Sequence, residues 1–143
     1  MVPVEVSLVR KRLKSAIDQA RHRAQQRRQQ VAEAERAYAQ FLDSVAVPVA
    51  RMVQNALQSE GIHFTLFTPN GAVRLASDRG RNDYVELTLD TASEVPEVVG
   101  RISQTRGSRT IESERAINPG ASPAVVTEED VLEFFVQALE PWL

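Results

Sequence analysis

Ten positions constrain the first third of this chain more than any other feature. Leu13, Ile17, Ala20, Ala24, Arg27, Val31, Ala34, Tyr38, Phe41 and Val45 follow one another at steps of four and three without a slip. That is a 3.5-residue repeat held for more than four heptads, the pattern of a left-handed coiled coil or of a long antiparallel helical hairpin. No glycine or proline lies between Val4 and Val47, and the segment is rich in the helix formers Gln, Ala, Arg and Glu. A continuous helix here runs roughly 60 Å at 1.5 Å per residue. A core of this size cannot cover such a seam from end to end, so part of it is expected to meet another chain. The seam is uneven. Ala20, Ala24 and Arg27 are small or charged, whereas Val31 to Val45 is apolar, so the second half is expected to pack firmly and the first half to stay exposed.

Pro48 lacks a backbone donor and crowds the preceding turn, so it predicts a kink or the first turn of a new helix. Residues 49–59 then read as a short helix with Val49, Met52, Val53, Ala56 and Leu57 on one side. Gly61 supplies a helix-ending glycine, with Ile62 set to make the accompanying apolar contact.

From Ile62 the period changes to two, and four tight turns divide the rest into five strands. These are expected over residues 62–67, 72–77, 84–90, 98–104 and 109–115. Pro69-Asn70-Gly71 carries the Asn-Gly hairpin signal. Within 84–90, Val85, Leu87 and Leu89 point to the core and Glu86, Thr88 and Asp90 to solvent. Short strands joined by tight turns predict an antiparallel β-meander with one solvated face. Thr127-Glu128-Glu129-Asp130 matches a capping box opening a C-terminal helix, whose face of Val131, Leu132, Phe135, Ala138 and Leu139 should lie on the sheet. The expected fold class is therefore α+β. Residues 1–60 form a helical oligomerisation segment, and residues 61–143 a five-stranded antiparallel sheet with a helix packed on it, the two integrated into one domain.

Composition narrows the chemistry. The 143 residues contain no cysteine and two histidines, which excludes disulfides, thiolate catalysis, Cys-ligated zinc and a three-histidine metal site within one chain. No basic start precedes an apolar stretch of secretory length, and the longest uninterrupted apolar run, Val45–Ala50, is far short of the roughly 20 residues that span a bilayer. A cytoplasmic location without membrane contact is expected. Net charge is −2, but residues 10–28 hold eight basic side chains against the single Asp18.

Individual candidates are few. His22 lies between Arg21 and Arg23 and reads as an exposed helix residue, with a phosphate contact as the functional alternative. His63, on the first strand, reads as a histidine packed beside Phe67; as a general base it needs a pocket and a carboxylate partner such as Glu86. Glu86, Asp90, Glu112 and Glu114 could hold a cation only if their strands brought several oxygens together. Arg106 and Arg109 flank Gly107 in what is ordinary turn chemistry or an anion contact. No phosphate loop, dinucleotide fingerprint, zinc-protease helix or nucleophile elbow occurs. No catalytic residue, metal or cofactor is expected.

The first functional expectation is a non-enzymatic interaction or scaffolding module. It forms a homo-oligomer, foremost a dimer, through Val31, Ala34, Tyr38, Phe41, Val45 and Met52, and binds another protein. The second is a nucleic-acid-associated protein using Arg21, Arg23, Arg27 and Arg28 on phosphates. Against it stand the spread of charge around the helix and the lack of any aromatic before Tyr38 for base stacking. The third is an enzyme with an unfamiliar site around His63.

Overall fold

The computed structural model describes residues 2–143. The chain divides into two compact units, one ending at Glu33 and the other spanning Ala34–Leu143. Helix α1 runs Val6–Phe41, as the unbroken run of helix formers requires. A π-helical turn, Leu42–Ala46, links it to α2, Val47–Ser59, with Pro48 in the first turn of α2. The π turn was not foretold by the sequence. Val47 donates its N–H to the Leu42 carbonyl, five residues back rather than four, so the chain passes from α1 to Pro48 through a widened turn instead of a break.

The described residues form one five-stranded sheet, ordered β1-β2-β3-β4-β5 and antiparallel throughout. The strands are β1 (Phe64–Phe67), β2 (Val73–Ser77), β3 (Tyr84–Asp90), β4 (Glu97–Arg106) and β5 (Arg109–Ala116). Asn70 takes a left-handed conformation, φ 47°, in the β1–β2 connection, a conformation that asparagine tolerates better than most residues. Helix α3 spans Glu128–Ala138. Its capping box is present: the Asp130 N–H donates to Thr127 Oγ1 at 3.1 Å, and the Thr127 N–H donates to the Asp130 carboxylate at 3.0 Å.

The core of the second unit lies between one face of the sheet and the helices. Val73, Leu75, Val85, Leu87 and Val98 from the strands meet Val49, Ala50 and Leu57 of α2 and Val131, Phe134, Phe135 and Ala138 of α3. Ala34, Tyr38 and Phe41, at the end of α1, are buried as well. Leu132, expected on the inner face of α3, is instead exposed, and Phe134 is buried in its stead. The reason is on β4: Gly100 carries no Cβ, and one placed there would overlap the Phe134 ring. The missing side chain lets the aromatic ring close on the strand and sets the rotation of α3.

No helix among the described residues is long and apolar enough to cross a membrane.

Candidate functional site

Three surfaces stand out among the described residues. The first is the N-terminal segment of α1. At 100° per residue, Val6, Val9, Leu13 and Ile17 form one stripe, and all four are exposed, between 42% and 70%. Arg10 and Lys14 run along one edge of this stripe and Arg12 along the other, as their offsets of three and four residues dictate. Further along, Arg21, Arg23 and Arg28 are exposed, and Arg27 is half-buried. His22 is exposed, as expected.

The residues expected to form an oligomer interface have divided fates. Ala34, Tyr38 and Phe41 are buried within the chain's own fold, Val31 and Val45 are half-buried, and Met52 is 58% exposed. Tyr38 is held most firmly. Its hydroxyl donates to the Gly71 carbonyl at 2.7 Å, with the Leu87 carbonyl at 3.4 Å, and its ring leans on Phe41 with centroids 6.0 Å apart. Burial, and secondarily the nearby Glu86 charge, pushes its phenol well above the ordinary value, so it remains a donor.

The second surface is a groove of about 590 Å³ between α2 and α3. Its floor and walls are apolar (Val49, Met52, Val53, Ala56 and Leu132), and the exposed acids Glu128 and Glu129 line it too. The sequence places Val49, Met52, Val53, Ala56 and Leu57 on one apolar arc of α2 and puts Met52 in an oligomer interface, without distinguishing a groove. The available signal was the width of that arc: Met52 and Ala56 sit on the opposite edge from Ala50 and Leu57, more than one packing partner covers.

The third surface is the sheet face turned away from the core. There Arg74, Glu86, Arg101 and Glu114 stand in register on four consecutive strands, alternating in sign. Glu86, expected in solvent, is only 5% exposed. Nε of Arg74 donates to Glu86 Oε2 at 2.6 Å, and Nη2 forms an ion pair with the same oxygen, also at 2.6 Å. The Arg74 guanidinium also lies over the Tyr84 ring, 4.0 Å from its centroid. Arg101 pairs with Glu114 at 3.1 Å, a hydrogen bond that raises the guanidinium above its ordinary pKa. The row neutralises itself, which is what lets a carboxylate be withdrawn from water in the middle of a sheet.

The four carboxylates weighed as a cation site do not converge. Glu86 and Glu114 are taken by arginines, and Asp90 accepts from the Ala92 N–H at 2.9 Å. Among the described residues no group of three His, Asp or Glu side chains could hold a metal ion. His63 is exposed rather than packed beside Phe67, and lines a pocket of about 340 Å³ with Asp78, Arg79 and Trp142. Glu86 is engaged by Arg74 and is not its partner. Arg106 and Arg109 face each other across the β4–β5 turn, both exposed.

Neither protein-family models, nor curated proteins, nor solved structures match this chain.

Proposed function

We propose that this chain is a non-enzymatic self-associating module, forming a homodimer through the apolar stripe of α1 and serving as a platform for other proteins. One observation carries the reading. The heptad seam is covered from Ala34 to Phe41, yet the same helix leaves Val6, Val9, Leu13 and Ile17 in water. Each such side chain gains about 1.5–3 kcal/mol on full burial, and a helix that displays them in a row is built to be covered. The test is light scattering on a size-exclusion column at micromolar concentration. The expected mass is that of two chains; a mass of 15.9 kDa would end the reading.

A second reading rests on a different observation, the exposed arginines Arg21, Arg23 and Arg28 within a segment of eight basic side chains. It makes α1 a phosphate-backbone contact for nucleic acid. A fluorescence-anisotropy titration with duplex DNA decides it. Binding that weakens steeply with salt and disappears when Arg21, Arg23, Arg27 and Arg28 become glutamine would put it first. No binding at low salt would remove it.

A further inference from the structure

The stripe on α1 needs a seat, and the seam of a second α1 is a poor one. Over residues 10–28, two copies of α1 would set eight basic side chains against eight more, with one acid on each. Like charges at that density oppose association. Over residues 34–41, the seam is already buried inside the chain.

The groove between α2 and α3 has what α1 lacks. It is apolar at Met52, Val53, Ala56 and Leu132, and it is lined by Glu128 and Glu129. Met52 is 58% and Leu132 46% exposed, so two large apolar side chains stand uncovered there. The charges are complementary at both scales. Residues 1–33 hold eight basic and three acidic side chains, and residues 34–143 hold nine and sixteen. Locally, Arg10, Arg12 and Lys14 flank the stripe just as Glu128 and Glu129 flank the groove.

From this complementarity we infer that the α2–α3 groove is the docking site for residues 6–17 of a second copy of this chain, held as an amphipathic helix in a groove. Val6, Val9, Leu13 and Ile17 enter the apolar channel at offsets of three and four, the anchor spacing of helix-in-groove recognition. The flanking cations meet the two glutamates at its margin and set the direction of the incoming helix. Each chain offers one stripe and one groove, and in the proposed dimer the exchange is reciprocal. The inference rests on the self-association proposed above and adds its seat.

The chain has no cysteine, so two introduced thiols report on this contact without background. Leu13→Cys chains are mixed with Met52→Cys chains and oxidised, and the masses of Met52→Lys/Leu132→Lys and Leu13→Glu/Ile17→Glu chains are measured beside wild type. The expected products are mixed 13–52 disulfide dimers, with neither single-cysteine protein linking to itself. Both double variants should weaken dimerisation at least about 30-fold, the loss of one strong anchor. Leu13→Cys linking to itself in preference to Met52→Cys would overturn the groove as the seat. So would a Met52→Lys/Leu132→Lys chain that dimerises like wild type while Leu13→Glu/Ile17→Glu does not, and in both cases the self-association reading survives. A monomeric wild type removes both.

Discussion

Arg74 and Glu86 occupy opposed positions on β2 and β3, joined through two 2.6 Å contacts to one carboxylate oxygen, with Glu86 almost wholly withdrawn from water. The pair is asymmetric, because the Arg74 side chain keeps 32% of its surface in solvent while that of Glu86 keeps 7%. Losing Arg74 therefore strands a buried charge, whereas losing Glu86 leaves a guanidinium that can rehydrate. Arg74→Ala is expected to cost about 3 kcal/mol, more than Glu86→Gln, measured by urea denaturation with an unchanged slope. Equal losses in the two variants would contradict the asymmetry.

Tyr38 links stability to alkaline pH. In the unfolded chain its phenol ionises near 10.0, and in the fold burial and Glu86 hold it protonated to higher pH. The native state then binds more protons than the unfolded state above that value, so stability is whole below pH 10.0 and is lost as pH rises past it. Tyr38→Phe should flatten this alkaline decline. It should also lose about 1 kcal/mol at neutral pH, from the hydrogen bond to the Gly71 carbonyl. Melting curves at neutral and alkaline pH separate the two effects, and an unaltered alkaline slope would show that another group is responsible.

Gly100 and Phe134 share one space. Gly100→Ala puts a methyl into the ring and is expected to destabilise the fold by about 1–3 kcal/mol. Shrinking the ring with Phe134→Leu should return part of that loss in the double variant, a coupling that denaturation of all four proteins reads out. Strictly additive effects would mean that the two do not meet.

The same contact explains where the sequence was legible and where it was not. Strand ranges follow from alternation and turn residues, and the capping box at Thr127 and Asp130 from four consecutive letters, because those signals are local. Which side of α3 faces inward is not local. Both Leu132 and Phe134 are apolar, and only the absent side chain of Gly100, more than thirty residues earlier, selects the phenylalanine. Glu86 shows the same limit: alternation places it on the outer face correctly, but its burial depends on Arg74 twelve positions away. The π turn before Pro48 has no residue signature in this chain beyond the proline itself. Of the interaction surfaces, Leu13 and Ile17 of the α1 stripe belong to the heptad series while Val6 and Val9 do not, and the groove exists only once α2 and α3 are side by side.

Leu132 and Phe134 should accordingly separate in a chain held monomeric by Leu13→Glu and Ile17→Glu. There Leu132→Ala is expected to change stability by no more than about 0.5 kcal/mol, and Phe134→Ala to cost about 3–5 kcal/mol, by denaturant titration. Similar losses would contradict the rotation of α3.

The central claim is that the exposed stripe of α1 is an association surface, and sedimentation equilibrium of the wild-type chain beside Leu13→Glu/Ile17→Glu tests it most directly. The expected result is the mass of two chains for the wild type and 15.9 kDa for the variant, with the circular-dichroism signal of the sheet unit preserved. A variant that keeps the wild-type mass would contradict it.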